Sequence, residues 1–341
     1  MSNSGTLMDW WIEFGWIIFV AGAAVSFGLL LILRPILQRH ALAHPNARSS
    51  HTIPTPQGGG FAVIGAAVGI VSVSALLGGF GGHSLWLVLA SAIFIAVVGA
   101  VDDLHGIAIL PRLILQAVAV AIVMAALPGE LRLVPSFPVW LERALLGLAL
   151  LWFVNLVNFM DGIDWMTVAE IVPVTAGLVL FGVVGALPRD ATVVALAFGG
   201  AMVGFAPFNK PVARLFLGDV GSLPTGLLLG WLLAGLAGHG YLAAALLLPL
   251  YYLADATITL LRRLARGEPI LQAHRTHFYQ RAADAGFSVR QIVGRVFLLN
   301  VALTALAATT LLTASGPFHA AALIAGCVLV ALLLYRFAAR A

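Results

Sequence analysis

The chain has 341 residues, of which 61% are hydrophobic and only 9% charged, with a formal net charge of +4. A soluble domain carries about 25% charged residues, so this composition excludes a soluble globular protein and indicates a polytopic integral membrane protein. The small positive surplus suggests no nucleic-acid partner, and the single cysteine, Cys327, excludes an internal disulfide.

Eleven apolar stretches are long enough to cross a bilayer as helices: residues 10–33, 59–78, 85–101, 109–127, 140–157, 166–186, 191–208, 221–237, 240–262, 292–313 and 319–336. Helices are expected because the bilayer core offers backbone polar groups no partner outside their own segment. The opening "MSNSGTLMDWWIEFGW" carries Asp9 and Glu13 and no basic region, so it does not read as a cleaved signal peptide. Trp10, Trp11 and Trp16 fit an anchor at the outer interface. Eleven spans put the termini on opposite faces, and the basic residues decide which is which. With the N-terminus outside, 15 of the 18 Lys and Arg share one face, leaving only Arg132, Arg143 and Arg189 on the other. The expectation is one all-α integral-membrane domain over residues 1–341, N-terminus outside and C-terminus in the cytoplasm.

This topology gathers Asp102, Asp103, Asp161, Asp164, Glu170, Asp219, Asp255, Glu268 and Asp284 on the cytoplasmic side. Most sit in motifs at helix ends: "GAVDDLHGI" after span three, "NFMDGIDW" after span five, "NKPVARLFLGDVGSLPTG" between spans seven and eight, and "AHRTHFYQRAADAG" between spans nine and ten. Each has a plain structural alternative: a solvated turn, a helix cap, a glycine-lined close approach or a basic interfacial loop. Carboxylates are out of place beside an anionic inner leaflet, and four such motifs on one face point to a common cause. Oxygen ligands next to Arg and His suit Mg²⁺ held with substrate phosphates. Asp255 lies within an apolar stretch, where an acid is a functional candidate; a pair with Arg262 or Arg263 is the alternative, although seven residues put about 10 Å of helix rise between them.

In order along the chain, "PNARSSHTIPTPQGGG", "VDDLHGI", "NLVNFMDGIDW", "FLGDVGSLPTG" and "HRTHFYQRAADAG" resemble the polyprenyl-phosphate N-acetylhexosamine-1-phosphate transferases. The resemblance covers nearly the whole chain. It implies transfer of an N-acetylhexosamine-1-phosphate from a UDP-sugar to a polyprenyl phosphate such as undecaprenyl phosphate, with release of UMP. This is the step that initiates lipid-linked glycans of the lipopolysaccharide or cell-wall kind. It implies Mg²⁺, or Mn²⁺ in its place, and a cytoplasm-facing site in a bacterial inner membrane.

Carried over by residue, Asp219 is the principal metal ligand and Asp164 lies at the metal and diphosphate. Asp102, Asp103 and Asp161 are the catalytic candidates, the acidic pair handling the lipid phosphate. Asn158, Asn209, His274, Arg275 and His277 are the nucleotide- and diphosphate-side residues. Arg48 and His51, in the first loop, lie near the lipid phosphate or the donor. The implied partners are a UDP-N-acetylhexosamine, polyprenyl phosphate and membrane lipid, with no nucleic acid; an assembly of two copies is compatible with this.

The chain departs from the family in two places. The muramoyl-pentapeptide branch has a lysine soon after the acidic pair and a histidine triplet in the last loop. Here the residues are Leu104-His105-Gly106 and His274-Arg275-Thr276-His277, a form similar to the O-antigen-initiating branch. Trp165 stands where the family usually has a second glycine, which raises the question of whether its bulk selects the sugar. Two other classes were weighed. A transporter of an anionic solute would place charges at the membrane midplane in repeated, broken helices, and no repeat is visible. A CDP-alcohol phosphotransferase would follow its aspartate–glycine step with Ala-Arg and two further aspartates, which "MDGIDWMTVAE" lacks.

Overall fold

A computed structural model describes residues 14–43, 54–269 and 274–339. The expected site residues Arg48 and His51 lie outside the described residues. The elements are α1 (Trp16–His40), β1 (Leu42–Ala43), β2 (Thr55–Pro56), α2 (Gly60–Gly78), α3 (His83–His105), α4 (Ile109–Ala126), α5 (Val139–Met160), α6 (Met166–Val183), α7 (Arg189–Phe205), α8 (Asp219–Leu236), α9 (Leu242–Leu247), α10 (Leu250–Ala265), α11 (Phe278–Asp284), α12 (Val289–Thr309) and α13 (Gly316–Ala338). The only strands among the described residues are the two-residue pair β1 and β2, antiparallel, with Leu42 opposite Pro56 and Ala43 opposite Thr55.

Nine helical runs among the described residues are long and apolar enough to cross a membrane. Large apolar side chains such as Ile32, Leu76, Leu77, Trp140, Leu312 and Ile324 stand exposed on the outside of the bundle, as lipid-facing residues do. The chain is an all-α, multi-pass membrane protein. Two of the eleven expected spans differ in a physically legible way. The stretch 191–208 falls on α7, which ends at Phe205 and is only 17 residues long. The stretch 240–262 is broken, with a positive-φ kink at Gly240 and a second break at Leu248–Pro249 that separates α9 from α10. Helix α10 carries Asp255, Arg262 and Arg263 on a half-polar surface, so length and charge together keep it out of the nine.

Helix α8 is the hub and is buried over most of its length. It packs against α3 and α5 above all, with α2 alongside. Helices α1 and α7 meet along a seam of small residues: a Cβ on Gly200 would lie 2.1 Å from the Phe19 carbonyl oxygen, and one on Gly204 would lie 2.3 Å from that of Ala23. Close backbone approach through small residues is how membrane helices gain contact where lipid gives no hydrophobic drive.

Helices α6 and α12 are tied by a polar pair in the core. The Asn300 Nδ2 donates to Glu170 Oε2 at 2.7 Å and to the Ala169 carbonyl at 3.0 Å, and both side chains are 0% exposed. Asn300→Leu leaves the Glu170 carboxyl without that donor and is expected to cost about 1–3 kcal/mol of stability. A lowered unfolding midpoint in detergent would register this; an unchanged midpoint would show that the pair contributes nothing.

Candidate active site

The polar motifs converge at the end of the bundle where α8 begins. Gly218 takes a positive φ of 76° and turns the chain into the helix, so Asp219 is its first residue. The preceding strand-like segment is held by the end of the first loop: Phe216 N donates to the Pro56 carbonyl (2.9 Å), and Gly59 N and Gly60 N donate to the carbonyls of Phe216 (2.9 Å) and Leu217 (2.8 Å). The "TPQGGG" and "FLGDVGS" motifs thus form one structure.

The first amides of a helix have no partner within it. Here Asp103, from the end of α3, supplies one: its Oδ1 accepts from Asp219 N at 2.9 Å and its Oδ2 from Val220 N at 3.0 Å. This cap requires α3 and α8 to touch, and they do at Gly99, where an added Cβ would lie 2.2 Å from the Asp219 carbonyl oxygen. Gln57 Nε2 donates to the Asp103 carbonyl at 2.8 Å, so the first loop braces the same point. The neighbouring Asp102 accepts from Ile107 N at 2.6 Å and from Arg112 Nη1 at 2.8 Å. That same guanidinium nitrogen lies 3.7 Å from Asp219 Oδ2. Arg112, from the first turn of α4, is not among the site residues expected from the sequence.

The end of α5 closes the other side. Asn158 Nδ2 donates to Asp219 Oδ1 at 2.7 Å and to Ser222 Oγ at 2.8 Å. Asp161 follows the last turn of α5 and accepts from the Thr167 hydroxyl. Burial first, and the neighbouring carboxylates of Asp103 and Asp164 after it, push its carboxyl up to about 6 against the lowering effect of that hydroxyl. Asp164 is buried, and its Oδ2 accepts from Ala213 N at 2.9 Å. It lines a cavity of about 640 Å³ together with Arg34, Gln38, Arg214 and Arg290. Asp219, expected as a metal ligand with Asp164, accepts from Asn158, and Asp161 lies near Asp103 and Asp164 alike. Asn209 braces this region: its Oδ1 accepts from Trp165 N (2.7 Å) and its Nδ2 donates to the Leu215 carbonyl (3.0 Å).

The basic motif packs on the same α5 end. His277 is buried and its ring centre lies 6.4 Å from that of Phe159 and 4.9 Å from that of His274. Arg275 pairs with Asp284 at 3.0 Å. The Tyr279 hydroxyl donates to the Phe159 carbonyl at 3.0 Å; burial holds its phenol well above the usual value, so it stays a donor. Glycine at 162 is required by this contact, since a Cβ there would meet the Tyr279 hydroxyl at 2.0 Å. Asp255, left open between an ion pair with Arg262 or Arg263 and a functional role, bonds instead to the backbone and His277 of this motif and to the Tyr251 and Thr259 hydroxyls.

Among the described residues no three Asp, Glu, His or Cys side chains form a ready metal cage. The donor set still suits a hard cation that binds through one or two carboxylates and leaves its other positions to water and phosphate. Asp219 is the most open of the carboxylates, with Oδ2 3.7 Å from Arg112, whereas both oxygens of Asp103 are engaged by backbone amides and those of Asp102 by Ile107 N and Arg112.

The fold and this end-of-bundle cluster define a class: a multi-pass membrane protein with a carboxylate-rich polar site at the lipid boundary. Residues 85–238, which hold the acidic pair, the "NFMDGIDW" turn and Asp219, match the family model described as Glycosyl transferase family 4. The chain is 30% identical to a decaprenyl-phosphate N-acetylglucosaminephosphotransferase of Mycobacterium tuberculosis over 85% of this chain and 80% of that one. It is 28% identical to the protein of that name in Mycobacterium leprae (80% and 76% covered). A phospho-N-acetylmuramoyl-pentapeptide-transferase of Psychrobacter is also 28% identical, but over only 52% and 54% of the two chains. The chain belongs to the polyprenyl-phosphate N-acetylhexosamine-1-phosphate transferase family, of the glycosyl transferase family 4 type.

Proposed function

We propose that the protein transfers an N-acetylhexosamine-1-phosphate from a UDP-sugar to a polyprenyl phosphate at the cytoplasmic face of a bacterial inner membrane. The relatives' names favour N-acetylglucosamine as the sugar. One observation carries the reading: the residues that follow Arg112 and Asn158 line a largely apolar groove with room for part of an isoprenoid chain. Leu113, Leu148, Leu151, Trp152, Phe159 and Leu260, with Asn155 as the one polar side chain, line a cavity of about 270 Å³. Leu113 follows Arg112 and Phe159 follows Asn158, so an isoprenoid in the groove would bring its phosphate to the Arg112–Asp219 site.

In the reaction a non-bridging oxygen of the acceptor phosphate attacks the β-phosphorus of the donor. The bond from that phosphorus to the bridging oxygen breaks, and UMP leaves with the electron pair. A phosphate monoester has its second pKa near 6 and is mostly dianionic at pH 7, so no strong base is obligatory. Two anions must still approach, and charge neutralisation is the main task. Mg²⁺, or Mn²⁺, would supply it when bound, by neutralising charge on the diphosphate and so favouring the departure of UMP.

Asp219 is read as its principal protein ligand, with Asp102 on the same wall and Asp164 on the donor side. Arg112 would hold the acceptor phosphate beside Asp102. Asp161 and Asn158 orient the donor between the two walls, and the 640 Å³ cavity, with Arg34, Arg214 and Arg290 on its wall, accommodates the nucleotide. His274, Arg275 and His277 face the diphosphate, and Arg48 and His51 the lipid phosphate or the donor. Asp103 contributes by capping α8 and so fixing where Asp219 begins.

The test is isotope exchange: radiolabelled UMP should enter UDP-N-acetylglucosamine only when purified protein, polyprenyl phosphate and Mg²⁺ are all present. A panel of UDP-N-acetylhexosamines then identifies the donor. Absence of Mg²⁺-dependent exchange with every donor would refute the reading.

A further inference from the structure

We infer that Asp255 is a positioning residue of this site: it fixes the ring of His277, and the turn that carries it, against the end of α5. What His277 does there rests on the function proposed above; how it is held rests on geometry alone. Asp255 is 0% exposed on α10. Its Oδ1 accepts from Phe278 N at 3.0 Å and lies 3.3 Å from His277 Nδ1 and 3.4 Å from the Thr259 hydroxyl. Its Oδ2 accepts from the Tyr251 hydroxyl at 3.1 Å and from Tyr279 N at 3.3 Å.

A buried carboxylate is costly unless its lone pairs are satisfied. Here three of the five donors come from consecutive residues, 277 to 279, of a segment 22 to 24 positions further along the chain. The carboxylate therefore organises that segment. It also sets the chemistry of the ring. Two acceptors facing each other at this distance repel, so the nitrogen opposite Asp255 must be the one bearing a proton. That directs Nε2 away from α10, and an outer carboxylate orienting a functional histidine is an effective use of a buried acid. The ring is held on its remaining sides by His274, Phe159 and Tyr279, with the last two joined by the Tyr279 hydroxyl bond. Phe159 adjoins Asn158, which holds Asp219, so a displaced His277 would be felt at the acidic wall.

The experiment uses the full-length protein in lipid nanodiscs, with two readouts. In ¹⁵N-histidine spectra of the wild type, the His277 signal, assigned by its loss in His277→Gln, should show a protonated Nδ1. An unprotonated Nδ1 overturns the inference, and this readout requires no Asp255 variant to fold and no activity. In the exchange assay, Asp255→Asn should lower kcat by about 10–30-fold with KM for the donor within about twofold. The double variant with His277→Gln should lose no more than His277→Gln alone, as expected when one residue acts through another. Tyr251→Phe, which removes a different bond to Asp255, should retain kcat within about twofold. Additive losses in the double variant, or an equal loss in Tyr251→Phe, would reduce Asp255 to a packing residue and overturn the inference. A wild type without exchange would refute the proposed reaction, while the His277 signal would still decide how the ring is held.

Discussion

Asp219→Asn is expected to lower kcat in the exchange assay by about 10³-fold or more, on the order of 4 kcal/mol of transition-state stabilisation. The expectation follows from its place. The side chain is 26% exposed at the first residue of a buried helix, where the helix dipole favours negative charge. Its two oxygens face Asn158 and Arg112, one from each wall of the site. The amide fits the same volume but removes the negative charge and can present a donor to groups that are themselves donors. Folding should be preserved, because α8 is capped by Asp103 through the backbone and not through the Asp219 side chain. A binding readout separates metal loss from chemistry: added Mg²⁺ and UDP-sugar should raise the unfolding midpoint of the wild type and leave that of Asp219→Asn unchanged. Asp219→Asn with more than a tenth of wild-type activity at saturating Mg²⁺ would remove Asp219 from the metal site.

The sequence made much of this legible because two constraints act on every residue. A bilayer demands long apolar runs, so the helices read off directly, as did the one face that gathers acids between them. Less legible was anything that depends on pairing across the fold. Arg112 lies in an apolar helix, and nothing nearby in sequence reveals that Asp102 and Asp219 flank it. Asp103 was read for its carboxylate chemistry, yet both its oxygens bond to backbone amides 116 and 117 positions away. The break at Leu248–Pro249 was hidden because 240–262 is apolar enough to pass as a single span. Trp165 is instructive in a different way. Its φ of 62° lies in the left-handed region, which glycine adopts freely and other residues adopt at a cost of about 1 kcal/mol. The family's glycine at this position is thus a matter of backbone geometry. The tryptophan accepts the strain and offsets it with an indole Nε1 bond to the Ala206 carbonyl at 2.7 Å. Its ring ties the start of α6 to the end of α7, so its bulk has a packing role whatever the sugar.

Gly99→Ala should lower activity by about 10²-fold without altering any polar side chain of the site. A methyl group at 99 would sit 2.2 Å from the Asp219 carbonyl oxygen, 2.4 Å from its carbon and 2.6 Å from Val220 N. All three are backbone atoms, so no side chain can swing aside, and α3 and α8 must separate. Asp102 and Asp103 ride on one helix and Asp219 on the other; a shift of about 1 Å stretches the cap and opens the Arg112 contacts together, and displacement of that size costs about 10²-fold in rate. Stability should fall as well, by about 1–3 kcal/mol for an overpacked contact. Gly69→Ala on α2 is the matched control, because a methyl group there meets nothing within 4 Å. Exchange activity measured on equal amounts of folded protein separates the two effects. If Gly99→Ala were as active as Gly69→Ala, the rigid crossing of α3 and α8 would not be what sets the spacing of Asp102 and Asp219.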